Sequence, residues 1–527
     1  MDVYAFAPAG FKGGLVRVEV DIRRGLPAFD LTGLPDDAVR ESRERVRSAI
    51  RNAGFDFPVD RVLVNLAPAG LRKYGASFDL PIALGILSCS GQVPEYGRPV
   101  LAIGELGLGG EIRPAHGILS AVAAGLAAGI EDFAVPLGNI EEARSLRRGK
   151  VRGVSGLEEF CALFIPGRSG DTEPGSPDGS PESLEGAGRY TDGIASGQLP
   201  EADEVLGDFS DIRGQPKLRR ALEVAAAGGH HVLLFGPPGA GKTLAARRLP
   251  TLLPDLDGQD AVEATQIHSL AGTLPPGRGL LRRPPFRSPH HGASSEGVVG
   301  GGRWVRPGEV SLAHCGILFL DEAPEFRYDI LQALREPVEE GRITIARAET
   351  TQSFPARFQL VLAANPCPCG SLGRTGSVCL CSIQDLRRYW RKLGGPLLDR
   401  VDIRVPIQPA AFRDLLGREE SSFAVRARVE AVRGMQARRY SGRNYSLNGR
   451  IPAGAVERFC GVEPQTAVFL DDQAEDLGLS SRALHSILRV SRTIADLEGS
   501  ADILLRHVRE AAELRRYGDE DTYWQIP

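Results

Sequence analysis

At 527 residues the chain is long enough for about three domains of roughly 100–200 residues each. It is 42% hydrophobic and 25% charged, a balance that excludes a wholly disordered chain. Lys+Arg is 63 and Asp+Glu is 67, so the formal charge of −4 gives no global sign of a nucleic-acid partner, although an average cannot exclude a local patch.

Strand-like and helix-like runs alternate over residues 1–165. Residues 15–22 (LVRVEVDI) show the period-2 alternation of a half-buried strand. Residues 36–53 read as a helix stopped by Gly54, residues 61–66 as a strand, and residues 78–88 and 119–128 as apolar helices. Residues 166–211 carry eleven acids against two arginines, with many Gly, Ser and Pro and no apolar period. Such a composition buries too little apolar surface to offset chain entropy, so 166–204 is expected to be a flexible acidic linker. From 231 to about 407 strand and helix alternate again, which predicts an α/β domain with a parallel sheet. From 412 to 517 strand signals vanish and helical periodicity dominates. The expected division is 1–165, linker 166–204, 205–410 and 411–527. No basic n-region precedes an apolar core at the N-terminus, and no uncharged apolar run reaches about 18 residues, so a cytoplasmic protein with no membrane contact is expected.

The apolar run 231–235 leads into Gly236-Pro237-Pro238-Gly239-Ala240-Gly241-Lys242-Thr243 and then a helical stretch. This is G-x-x-x-x-G-K-T in its strand–loop–helix setting. Glycines let backbone N–H groups face phosphates, and the helix N-terminus adds a favourable dipole. Lys242 can reach the β/γ oxygens of ATP, and Thr243 can ligate Mg²⁺. Residues 316–320 (GILFL) form a second buried strand ending in Asp321-Glu322. Asp321 suits the metal; Glu322 can deprotonate the attacking water. The next apolar strand, 358–364, ends at Asn365, whose polar side chain can reach the γ-phosphate or the water. Arg400 could face a neighbouring subunit's nucleotide, but by the residues alone it is equally a surface salt bridge. Arg482 is equally uninformative by itself.

Cys367, Cys369, Cys379 and Cys381 form C-x-C, nine residues, C-x-C. Four thiolates this close can satisfy a tetrahedral Zn²⁺, although C-x₂₋₄-C is the commoner spacing. Reduced, buried thiols remain the alternative. Cys89, Cys161, Cys315 and Cys460 are isolated and are expected in cores.

In combination, residues 236–243, 317–326 and 363–369 resemble an AAA+ ATPase of the magnesium-chelatase-like clade, and the chain looks like a member of the YifB/ComM family. The runs PFRSPHH (285–291), PGEVSLAH (307–314) and LREPVE (334–339) extend the resemblance over nearly the whole chain outside the linker. The resemblance implies a Lon-protease-like S5-type α+β domain, an AAA+ P-loop α/β domain and a helical lid. It makes Asn365 a sensor-1 residue, Arg400 an arginine finger acting in trans, and Arg482 a sensor-2 residue. Residues 208–215 resemble the segment that folds over the adenine. A finger acting in trans implies a homo-hexameric ring.

The family reading further implies a DNA translocase or branch-migration helicase acting on single-stranded or branched DNA during recombination of incoming DNA. Residues 341–354 look like a pore hairpin, with Arg342 on its first strand and Arg347 near its turn. Residues 278–306, with six arginines against one acid, resemble a second pore insertion. Residues 426–450 add seven arginines against one acid. A solvated basic surface is the alternative. A chelatase-type ATPase remodelling a protein partner is the second functional reading. Ser77 matches the Lon-type nucleophile, but Leu119 falls where the dyad lysine belongs, and leucine cannot act as a base.

Overall fold

The computed structural model describes residues 1–162 and 207–515, apart from residues 95, 303–304, 347–350, 373–375, 411–412 and 415–416. The linker expected over 166–204, together with Arg303 and Arg347, lies outside the described residues. The chain forms two compact units. One holds the N-terminal residues together with Thr265–Leu281; the other holds the remaining residues from 207 onward.

In the first unit, β1 (Val3–Ala7), β2 (Gly14–Arg23), β3 (Ala28–Thr32), β4 (Arg61–Ala67), β5 (Val100–Ala102), β6 (Asp132–Pro136) and β7 (Lys150–Val154) make one mixed sheet in the order β3-β4-β2-β1-β5-β6-β7. The alternation expected at 15–22 is seen directly: Val16 and Val18 are buried while Arg17 and Glu19 are exposed. Helix α1 (Asp37–Asn52) starts where Asp36 accepts the Val39 N–H at 2.8 Å. It buries Val39, Val46, Ala49 and Ile50 on one stripe. Helices α2 (Asp79–Cys89) and α3 (Ile118–Ala127) are the expected apolar helices.

The segment Thr265–Leu281, expected inside the 205–410 domain, packs into this first unit. The reason is a buried carboxylate. Glu142 accepts from Ser269 Oγ at 2.5 Å and from the Leu119 N–H at 2.8 Å, and Ser269 Oγ accepts the Gly117 N–H at 2.9 Å. Left unpaired, such a buried group costs several kcal/mol, so the segment is tied where its hydroxyl is needed.

In the second unit, β8 (Val232–Phe235), β9 (Phe286–Arg287), β10 (Ile317–Leu320), β13 (Gln359–Ala364) and β14 (Ile403–Pro406) form a five-stranded sheet in the order β9-β10-β13-β8-β14. Every neighbouring pair is parallel, as expected. The hairpin of β11 (Arg342–Ala346) and β12 (Thr351–Pro355) stands apart as its own two-stranded sheet. Helix α4 (Pro216–Gly228) precedes β8, α5 (Lys242–Arg248) follows it, and α6 (Ile383–Arg391) lies between β13 and β14. Beyond Pro406 the described elements are helical, the longest being α7 (Ser422–Arg439), α8 (Pro464–Leu477), α9 (Ser481–Leu497) and α10 (Leu505–Arg515). Their apolar faces share one core with the sheet unit: Val429, Ile487, Val490 and Ile494 cluster with Leu222, Ala225 and Val232. Among the described residues no helix is long and apolar enough to cross a membrane.

Candidate active site

The residues of β8 are all buried, so the chain meets solvent only at its carboxyl end, where the glycine loop begins. Gly236 has to be glycine, since a Cβ there would lie 2.1 Å from the Ile407 carbonyl oxygen. Gly239 and Gly241 have φ of +80° and +95°, in the region open to glycine. Lys242 opens α5 and donates to the carbonyl oxygens of Gly236 at 2.7 Å and Pro237 at 3.0 Å, and to Asn365 Oδ1 at 3.0 Å. Burial lowers its pKa, and the charges of Asp321 and then Glu322 oppose that.

The three strand ends converge by register. Phe235 of β8 pairs with Ala364 of β13, and Leu320 of β10 pairs with Leu362. Lys242, Thr243, Asp321 and Asn365 therefore meet at one carboxyl edge, where parallel sheets bind ligands. Thr243 Oγ1 donates to Asp321 Oδ2 at 2.8 Å, so these two oxygens can face one hard cation. Glu322 follows with φ of 50°, a left-handed conformation that costs a non-glycine residue roughly 1–2 kcal/mol. Its carboxylate is half exposed and lies 3.5 Å from His291 Nδ1. His291 lies within PFRSPHH, and no sequence spacing rule links it to Glu322. Gln215, at the end of the 208–215 segment, donates to the Ala240 carbonyl at 3.1 Å and so brings that segment to the loop.

Arg400 and Arg482 do not join this group. Arg400 precedes β14, whose Ile403 registers with Val232 at the start of β8. It therefore lies at the amino edge, a strand length of about 10 Å from the glycine loop. Arg482 sits in the first turn of α9 at the same edge. Both arginines pair with Glu339, Arg482 at 2.5 Å and Arg400 through two nitrogens. Burial works against the Glu339 charge, but Arg400 and then Arg482 hold its carboxyl below the usual range. The two arginines line a cavity of about 980 Å³ together with Asp402, His485 and Arg489.

The four cysteines come together as expected. Their Sγ atoms all lie within 4.8 Å of one another. Cys367 is fully buried, and its sulfur accepts the Leu372 N–H at 3.3 Å. Of the isolated cysteines expected in cores, Cys161 and Cys460 are buried, Cys315 is half-buried and Cys89 is exposed.

The basic stretches are less available than their composition implied. Arg287 is buried and bidentate to Glu309 at 2.6 Å, so it is a structural ion pair rather than a pore-facing charge. Arg426 pairs with Asp255 and Glu430, Arg428 with Glu223 and Glu420, and Arg439 with Asp496. Arg433 and Arg450 donate to main-chain carbonyls of Ala226, Val338 and Phe358. Arg342 is exposed on the first strand of the hairpin and pairs with Glu340 at 2.8 Å. In the first unit, Lys73, the lysine nearest Ser77 in sequence, donates its amine to the carbonyls of Gly33 at 2.7 Å and Pro68 at 2.5 Å, and Leu119 is fully buried.

Residues 208–415 match the family described as magnesium chelatase, subunit ChlI. Residues 18–139 match subunit ChlI of Mg-chelatase, and residues 419–515 match the ChlI C-terminal family. The chain is 41% identical to the competence protein ComM of Haemophilus influenzae, over 97% of each chain. It is 38% identical to the uncharacterized protein YifB of Escherichia coli, over 97% of this chain and 96% of that one. An uncharacterized protein of Mycobacterium tuberculosis is 41% identical over 98% of each.

Proposed function

The chain belongs to the YifB/ComM family of magnesium-chelatase-like AAA+ ATPases, and from that premise we propose that it is a ring-forming motor that hydrolyses ATP to move along DNA. One observation carries the ring. The glycine loop, Thr243, Asp321 and Asn365 stand at one edge of the sheet, while Arg400 and Arg482 meet at the opposite edge on Glu339. Two positive charges held so far from their own phosphate loop suit the nucleotide of a neighbouring copy, and a closed ring of six copies gives every site such a neighbour.

In this reading Lys242 holds the β- and γ-phosphates, with backbone N–H groups of the glycine loop around them. The oxygen pair of Thr243 and Asp321 fits Mg²⁺, which neutralises phosphate charge when bound. Glu322 accepts a proton from water as its oxygen bonds to the γ-phosphorus. The bond to the β–γ bridging oxygen breaks, and ADP leaves with that electron pair. Asn365 orients the water or the γ-phosphate, and Arg400 and Arg482 of the neighbouring copy stabilise the spread negative charge. Residues 1–165 act as a Lon-like scaffold or nucleic-acid-binding module and 411–527 as the lid. A peptidase role is not supported, because Leu119 supplies no base and the Lys73 amine is held by two carbonyls.

DNA as the track rests on the family and on the β11–β12 hairpin with its exposed Arg342. The competence protein among the relatives points the same way. The internal pairing of Arg287, Arg426, Arg428 and Arg439 favours the second reading, in which the ring remodels a protein partner. The ATPase rate with and without single-stranded and branched DNA separates the two. DNA is expected to raise the wild-type rate several-fold, while Glu322→Gln binds ATP and falls at least about 100-fold in kcat. An assembled ring that neither binds DNA nor responds to it would leave the protein-remodelling reading.

A further inference from the structure

The cysteine cluster does not stand apart from the ATP site. Cys367 follows Asn365 by two residues, at the end of the strand that delivers Asn365 to Lys242. Cys381 directly precedes Ser382, the N-cap of α6, whose hydroxyl accepts the Asp385 N–H at 3.1 Å. That helix returns two buried aromatics to the same place. Trp390 Nε1 donates to the Pro366 carbonyl at 3.2 Å, and its ring meets Phe235, the last residue before the glycine loop, edge-on at 6.2 Å. The Tyr389 hydroxyl accepts from the Asn365 backbone N–H. Between the cysteine pairs, Gly370 lies against the phosphate loop so closely that a Cβ would come within 3.0 Å of Pro238 Cγ.

The sulfur geometry suits a metal rather than a disulfide. Three Sγ separations are 3.3, 3.7 and 3.7 Å. A disulfide needs about 2.0 Å. A tetrahedral zinc with about 2.3 Å bonds places its sulfurs about 3.8 Å apart. Backbone N–H groups already point at the sulfurs, Leu372 to Cys367, Ser371 to Cys369 and Cys369 to Cys381. Such bonds orient and stabilise thiolate ligands.

We propose that Cys367, Cys369, Cys379 and Cys381 bind one Zn²⁺ as a tetrathiolate clamp that positions Asn365 and Pro238 at the phosphate loop. The clamp ties the sensor strand to the start of α6. The cysteines are positioning residues and touch no reacting atom. The coupling rests on the ATPase reading, whereas the metal site stands on the sulfurs alone.

The test uses the full chain purified under reducing conditions. Elemental analysis is expected to find one zinc per chain in the wild type and in Cys89→Ser, a substitution at a cysteine outside the cluster. Cys379→Ser and Cys381→Ser should lose the zinc while keeping the circular dichroism of the wild type. Cobalt exchange should give the charge-transfer and visible bands of a tetrahedral tetrathiolate. In steady-state hydrolysis the zinc-free variants should fall about tenfold in kcat with KM for ATP within about threefold, the pattern of a lost transition-state contact. Combining Cys379→Ser with Asn365→Ala should cost little more than Asn365→Ala alone. Absent zinc, or iron in its place, overturns the metal assignment. Wild-type kcat in a zinc-free variant, or fully additive losses, overturns the clamp. A zinc-loaded wild type without ATPase activity overturns the ATPase reading and the coupling together, and leaves the metal site standing on its zinc content and cobalt spectrum.

Discussion

At Lys242 a single amine is shared among Gly236, Pro237 and Asn365, which makes the phosphate loop and the neighbouring strand end one hydrogen-bonded unit. His231 shows a similar economy at the other end of the same strand. It is buried, and its Nδ1 accepts the Leu360 N–H at 2.9 Å. Burial, and then the charge of Arg450, pushes its imidazole down from 6.5 to about 3. The unfolded chain therefore binds a proton that the folded chain refuses between those values. Stability is lost as pH falls through that window. Urea denaturation is expected to show a falling midpoint between about pH 6.5 and 5, with His231→Gln showing a flatter dependence. Equal slopes for both proteins would remove His231 as the cause. None of this was legible at residue level, because His231 reads as one more residue of an apolar run until Leu360 is placed beside it.

Elements were legible where their signals are local. Asp36 before a periodic run, the alternation over 15–22 and the Gly-Lys-Thr turn each carry their instruction within a few positions. Local order also shapes the turn that carries Arg482. Ser480 caps α9 by accepting the Ala483 N–H at 3.2 Å, in the turn that carries Arg482. Ser480→Ala is expected to cost about 1 kcal/mol in urea denaturation, the usual penalty for a lost cap. The frayed first turn should then lower ATPase activity through Arg482 while nucleotide binding by the phosphate loop is unchanged. Loss of binding instead would place Arg482 at its own loop. The hairpin was legible as two β-runs, but its standing as a separate two-stranded sheet was not, since nothing in the run specifies which sheet a strand joins.

On the scale of the whole molecule, the charge of −4 averages the eleven acids of 166–211 against arginine-rich stretches such as 426–450, and much of that basic excess is consumed inside the fold by partners far along the chain. Arg439 finds Asp496 and Arg428 finds Glu223, 57 and 205 residues away. The separation of the two charge sets across the sheet makes a mixing test decisive for the assembly. Lys242→Ala and Arg400→Ala chains should each be inactive alone. Mixed, they should recover part of the activity, because some interfaces pair an intact loop with an intact finger. No recovery in rings shown to contain both chains would mean that Arg400 does not act across the interface.

The sequence by itself determined the parallel α/β unit, the glycine loop, the acidic strand end, Asn365 and the four thiols. Each rests on local patterns of strand period, turn residues and chemistry, the four thiols spanning only 367–381. The tertiary structure alone decided that Arg400 and Arg482 share Glu339, that Thr265–Leu281 packs with the N-terminal residues, that Arg287 is buried on Glu309, and that the thiols sit on the flank of the phosphate loop. Those facts depend on which distant groups a buried charge or a fixed strand edge meets. Desolvation and packing settle that only after the chain has closed on itself.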